Sequence, residues 1–209
     1  MEIRKAGLES SQLIIGVDFT KSNLWTGQQS FSGKSLHDCF TGGPNPYQEA
    51  PLTARSLLPC LTRAANSHPV LRAAHPLAVW CQCIDVIGRT LEQFDDDRLI
   101  PAYGFGDNFS RDRAVLPFKK GPAGKPRPCQ GVEEVLQRYE KIAKKVILAG
   151  PTSFAPLIYE AIRLVQLERQ YHILVIIADG KVDSRKEETV KAIVDATQHP
   201  LSIIMVRTQ

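Results

Sequence analysis

Three short segments of the chain carry oxygen-bearing side chains where chemistry can be done. Asp18-Phe-Thr20-Lys-Ser22-Asn23 follows an apolar run, Asp179-Gly180 follows a second, and Gly150-Pro-Thr152-Ser-Phe154 opens a helical pattern. Asp18, Thr20, Ser22, Thr152 and Asp179 together offer two carboxylates and three hydroxyls. Hard oxygen donors of this kind suit Mg²⁺ or Mn²⁺, with Ca²⁺ the remaining candidate. With so few carboxylates around it, an ion keeps residual positive charge and an open position. An acidic side chain of another protein can fill that position. Taken singly, each residue has a plainer use. An Asp after a strand caps the next helix, Asp-Gly makes a turn, and Thr152 can cap its own helix. The combination, at strand ends and a helix start, is what points to a site.

The elements that must position these residues are legible from apolar patterning. Leu13 to Val17, Ile173 to Ala178 and Leu201 to Val206 are short, nearly continuous apolar runs rich in β-branched residues. Such runs read as strands buried on both faces. A helix over 184–198, with Val190, Ile193 and Val194 at helical spacing, separates the last two, which is the strand-helix-strand signature of a parallel sheet. Ile84, Ile87, Leu91 and Phe94 predict an amphipathic helix. Residues 99–105 read as a strand, and 114–118 as a short strand that hairpins back. Helices are predicted over 132–142, with Val132, Val135, Leu136 and Tyr139 inward, and over 154–167, with Ile158, Ile162 and Val165 inward. Residues 121–128 read as a loop. The fold class is therefore α/β, with three layers and a mostly parallel central sheet. Parallel sheets bind ligands at the carboxyl ends of their strands, which is where the three polar segments fall.

Asp18-Phe-Thr20-Lys-Ser22 resembles the Asp-x-Ser-x-Ser element of the metal-ion-dependent adhesion site in von Willebrand factor A domains, with Thr for the first Ser. The chain is more specifically similar to the copine A domain and its relatives in plant RING-type ubiquitin ligases. Ala6 to Ser11, Gly16 to Asn23, Trp25-Thr-Gly27, Ser35-Leu-His37, Asn45-Pro-Tyr47, Ile87 to Leu91, Leu99 to Asp107, Gly150 to Pro156 and Tyr171 to Gly180 carry the likeness. The resemblance implies direct metal contact by the hydroxyls of Ser22 and Thr152, with Thr20 a further ligand. It implies that Asp18 and Asp179 act partly through water, and that a partner protein's carboxylate completes the coordination. Gly104 to Asp107 is expected to give structural support, with Asp107 near the rim of the site.

Against that resemblance the chain departs in three places. Residues 51–83, with Pro51, Pro59, Pro69 and Pro76, read as an irregular insertion in the single domain 1–209, because prolines at that spacing exclude one long helix. The sequence stops at Arg207-Thr-Gln209, so the expectation is a domain truncated before its last helix and strand, with an exposed edge and lowered stability. No RING-type pairing of Cys and His and no preceding C2 module is present in these residues, so neither ligase activity nor membrane binding is expected of this stretch by itself.

Bulk properties narrow the function classes. The 209 residues carry a net charge of +4 with no basic stripe interleaved with aromatics, which argues against nucleic acid. No apolar run reaches the ~18 residues of a membrane span. Five irregularly spaced cysteines and the absence of an apolar leader point to reduced thiols in a cytoplasmic setting, with the nucleus as the other compartment. Cys81-Gln-Cys83 is too tightly spaced, and lacks the second pair, for a zinc knuckle. Enzyme readings are weak. Position 20 is Thr where an Asp-x-Asp phosphotransfer motif needs Asp, and Gly104-x-Gly106 lacks the third glycine and the helix of a dinucleotide loop. The five histidines share no spacing with a triad or a metal motif. The leading expectation is a divalent-metal-dependent protein-binding module. The alternatives are a member of the ubiquitin-ligase family acting in protein ubiquitination, and a truncated fragment without function.

Overall fold

The computed structural model describes residues 11–30, 35–37, 79–92, 94–95, 97–180 and 186–207. Strand β1 (Gln12–Asp18) leads into helix α1 (Ser22–Ser30). Helix α2 (Val79–Leu91), β2 (Leu99–Ile100), β3 (Ala102–Phe105), β4 (Leu116–Pro117) and β5 (Cys129–Gln130) follow. The rest comprises α3 (Gly131–Ala143), α4 (Ala155–Glu168), β6 (His172–Ala178), α5 (Lys186–Ala196) and β7 (Leu201–Arg207). The main sheet has the order β4-β3-β1-β6-β7, and only the β3–β4 pairing is antiparallel.

Strand β1 shows why the two-sided apolar runs form this sheet. Its side chains alternate between two cores. Leu13, Ile15 and Val17 join Val175 and Ile177 of β6 against α2 and α3, where Ile84, Val132, Val135 and Tyr139 are buried. Ile14 joins Leu174 and Ile176 against α4 and α5, where Leu157, Ile158, Ala161 and Ala192 are buried. Each aliphatic side chain taken fully from water contributes roughly 1.5–3 kcal/mol, so the central strands are locked in register from both faces. A Cβ at Gly16 would lie 2.2 Å from Leu157 Cδ2, so this glycine lets α4 lie close on the sheet. The three-layer, mostly parallel α/β architecture is the one expected.

Details differ from the sequence reading. The strand expected over 99–105 is broken at Pro101. Leu99–Ile100 pairs with β5, Ala102–Phe105 enters the main sheet, and the Pro101 carbonyl accepts from the Ile15 N–H at 3.0 Å. The apolar pattern gives no sign of helix α1. On α5 the inward face is the small one: Thr189, Ala192 and Ala196 are buried, while Val190, Ile193 and Val194 are 59%, 45% and 57% exposed. Small side chains let α5 sit close to α4 and the sheet, and that contact outweighs the larger apolar area of the valine-isoleucine face. Residues 79–83, assigned to the insertion, begin α2, and the remainder of 51–83 lies outside the described residues.

Candidate metal centre

The carboxyl ends of the parallel strands meet at one rim. Asp18 is in register with Phe105, and Ala178 with Arg207. Beyond Asp18 the chain turns on its own side chain: Thr20 N–H donates to Asp18 Oδ1 at 2.8 Å. The hydroxyls of Thr20 and Ser22 lie 2.7 Å apart. Asn23 Nδ2 fastens the turn from below, donating to the carbonyls of Asp18 (3.2 Å) and Thr20 (3.0 Å). Asp18, Thr20, Ser22 and Asn23 are all buried. A Cβ on Gly106 would come within 2.1 Å of Thr20 Cγ2, and its φ of +78° is one that L side chains rarely adopt. Glycine is what allows the β3 end to pass so close to the loop.

The second loop reaches the first through the main chain. Lys21 N–H donates to the Ala149 carbonyl at 2.6 Å, and Ala149 N–H donates back to the Phe19 carbonyl at 3.4 Å. The peptide bond between Gly150 and Pro151 is cis. Thr152 and Ser153 follow, both buried. Phe154 is the N-cap of α4, and no side chain caps that helix end. The plainer role for Thr152 as a helix cap is therefore not taken up.

Asp179 closes the third side. It is buried, its Oδ2 accepts from the Thr26 hydroxyl at 3.1 Å, and its carbonyl accepts from Arg207 Nε at 3.2 Å. Asp18 and Asp179 repel one another. Burial, opposed by the Thr20 hydrogen bonds and assisted by Asp179, pushes the Asp18 carboxyl up from its ordinary 3.8 to about 7. Asp107 behaves as expected of a support. Its Oδ2 accepts from Phe109 N–H at 3.1 Å, and its Oδ1 from both the N–H and the hydroxyl of Ser110.

Polar atoms are left over at this rim. Among the described residues, Asp18 Oδ2, Asn23 Oδ1, Thr152 Oγ1 and Ser153 Oγ of these segments are buried without a hydrogen-bond partner, as is Thr189 Oγ1 on α5. A buried polar atom left so costs about 1–3 kcal/mol, and such atoms in a native fold call for an explanation. A cation of oxygen preference fits this set, since it satisfies acceptors and offsets the repulsion between the two carboxylates. No group of three or more His, Cys, Asp or Glu that could hold a metal occurs among the described residues, so a cation here would depend on hydroxyls.

The sequence pattern did not reveal Asn23, Thr26 or the Ala149 main chain. Their roles arise from contacts between distant segments. His172 is structural, with Nε2 2.9 Å from Glu168. Cys129 is buried and its thiol is pushed up to about 11, mainly by that burial, so it is held protonated and unreactive.

The family model "Copine" matches residues 71–208. The chain is 44% identical to the E3 ubiquitin-protein ligase RGLG2 and 45% to RGLG1, both of Arabidopsis thaliana. These matches cover 98% and 97% of this chain but 38% and 36% of those proteins. It is 41% identical to Copine family protein 1 of Caenorhabditis elegans, across 98% of this chain and 15% of that protein. Among solved structures, a manganese-loaded Plasmodium vivax TRAP protein aligns over 96% of this chain and 59% of its own, with a TM-score of 0.46 and 12% identity.

Proposed function

The chain belongs to the copine family, and from that premise we propose that it is a divalent-metal-dependent protein-binding module. Ser22, Thr152 and Thr20 supply hydroxyl ligands. Asp18 and Asp179 orient them and carry the compensating charge. Mg²⁺ or Mn²⁺ bound there supplies a residual positive charge that attracts a carboxylate of a partner protein. The chain's own work is to hold five oxygen-bearing side chains on a rigid rim, with the Thr20–Ser22 contact and the Asp18 turn setting their directions before any ligand arrives. The chain spans less than half the length of the relatives it matches. Several of these are named E3 ubiquitin-protein ligases, so we assign this segment the role of recruiting a protein for such a ligase rather than the ligase chemistry.

The observation that carries this reading is the pair of buried oxygens without a partner among the described residues, Asp18 Oδ2 at the end of β1 and Thr152 Oγ1, on segments fastened to each other by main-chain hydrogen bonds. Calorimetric titration with Mg²⁺ and with Mn²⁺ tests it. Saturable binding is expected for the natural sequence and its loss in Asp18→Ala and Thr152→Ala. Absence of binding, or binding unchanged in both variants, refutes the assignment.

A further inference from the structure

Beside the candidate metal centre lies a cavity of about 400 Å³ that the reading above does not use. Leu116, Phe118 and Ile142 make its sheltered lining, and Phe109 and Ile147, 94% and 67% exposed, stand at its edge. Solitary exposed apolar residues are ordinary, but two of them bordering an apolar hollow mark a place where another molecule seats.

The cavity is charged on one side. Lys141 and Lys145 line it, four residues apart and exposed, and neither makes an ion pair among the described residues. Arg138 also lines it but is held by Glu134 at 3.1 Å. The lining carboxylate, Asp107, has both oxygens engaged by Phe109 and Ser110. The unspent charge is positive, so the occupant is acidic as well as apolar.

The hollow and the candidate metal centre share a strip of main chain. Asn108 N–H donates to the Ile147 carbonyl at 2.9 Å, Asp107 bridges Leu148, and the next residue, Ala149, is fastened to Thr20 and Lys21. One short strip of backbone is thus the wall of the cavity at one end and the floor of the metal loop at the other.

We propose that this cavity is a second pocket for the partner bound at the metal centre. It takes an aromatic or large aliphatic side chain from an acidic protein segment, with neighbouring carboxylates paired to Lys141 and Lys145. The inference rests on the metal-dependent reading above and names the class of partner that reading leaves open. A protein segment is favoured over a lipid surface because Leu116, Phe118 and Ile142 line a recess into which a single side chain can be inserted.

The test uses the full chain with Mg²⁺ and a short fluorescein-labelled peptide in which a central Trp is flanked on both sides by Asp and Glu. One control peptide has Ala for Trp and the other has Asn and Gln for the acids. Fluorescence anisotropy is expected to show binding at least about tenfold tighter than to either control, a factor worth ~1.4 kcal/mol. The double change Lys141→Glu/Lys145→Glu, and separately the surface change Ile147→Asp, are expected to remove that preference while the Mg²⁺ titration stays as in the natural sequence. Equal affinity for the Trp and Ala peptides, or indifference to both variants, with Mg²⁺ binding intact, overturns the pocket. Capture of phosphatidylserine vesicles dependent on Lys141 and Lys145, without peptide binding, overturns it in favour of a membrane surface. A failure of the metal-dependent reading shows differently, as no heat with Mg²⁺ in the natural sequence.

Discussion

Replacing Asp18 by Asn should make the metal-free protein more stable while destroying its ability to bind a cation. The ionised carboxylate is buried, has one oxygen without a partner among the described residues, and faces Asp179. A folded-state value of about 7 against an ordinary 3.8 means that the fold holds the proton more tightly than the unfolded chain does. The stability tied to this group is therefore present in full below pH ~3.8. It falls as pH rises, and levels off above pH ~7. At ~1.4 kcal/mol per unit the full loss is about 4 kcal/mol. Asn recovers only part of it, because the charge-assisted hydrogen bond from Thr20 N–H is worth roughly 1.5–3 kcal/mol and weakens with a neutral acceptor. The net gain expected at pH 8 in chelator is roughly 1–2 kcal/mol, a rise in Tm of about 2–8 °C for a chain of this size. At pH 4.5 the gain should vanish, since the carboxyl is then protonated in the fold. With Mg²⁺ at ~100 times its Kd, binding adds about 2.7 kcal/mol to the natural sequence alone, and the order of melting temperatures inverts. Differential scanning calorimetry of both proteins across these conditions is the assay. An Asn variant that melts below the natural sequence by one margin at both pH values would show Asp18 to be a structural anchor and sink the reasoning.

Three further outcomes follow from the geometry. Gly106→Ala should weaken metal binding without touching a ligand, and cost at least about 2 kcal/mol from left-handed strain and displacement of Thr20. Adding Thr20→Ser, which removes the Cγ2 that the new methyl meets, should restore part of the loss in a double-mutant cycle read by urea unfolding, and strict additivity would contradict the contact. Burial holds His37 down to about 3 from an ordinary 6.5, with its Nδ1 2.8 Å from the Tyr139 hydroxyl. Its contribution is complete above pH ~6.5 and lost as pH falls towards 3, so His37→Phe should lower stability at pH 7.5 and lower it markedly less at pH 4.5, as measured by urea unfolding. Ile193→Lys, on the outward face of α5, should change stability by no more than about 0.5 kcal/mol in thermal unfolding, whereas a loss above ~2 kcal/mol would place that face in a core.

The opposite slopes of Asp18 and His37 also explain why comparisons between variants are more telling than the pH profile of the natural sequence. One group loses stabilising effect as pH rises through the weakly acidic range, and the other loses it as pH falls through the same range. The two contributions offset each other.

Much of this fold is legible in the sequence because its central strands are apolar on both faces. The runs ending at Asp18 and at Ala178 can be little else than interior strands, and finding them locates the polar residues that follow. Val132, Val135 and Tyr139 on α3, and Ile158, Ile162 and Val165 on α4, are buried as their spacing predicts. Helix α5 misleads because it carries two faces at helical spacing, and hydrophobicity selects the larger one. Closeness of approach selects the smaller, and that is a property of the neighbours. The same limit applies at the rim. Asp18, Thr20 and Ser22 are found because they are close in sequence. Asn23 looks like one more polar loop residue, and only the fold shows it holding two carbonyls from beneath. Thr26 and Asp179 are 153 positions apart, and no local pattern joins them.

The link between Lys21 and Ala149 is made by peptide groups alone. The join between the two loops is thus independent of the Thr20 and Thr152 side chains, while Asp18 and Asn23 hold the turn through theirs. Thr20→Ser, which keeps the hydroxyl and removes only a methyl group, should leave that join in place. Under the metal-dependent function proposed above, the rim is a receptor whose strength and selectivity would be adjustable one donor at a time.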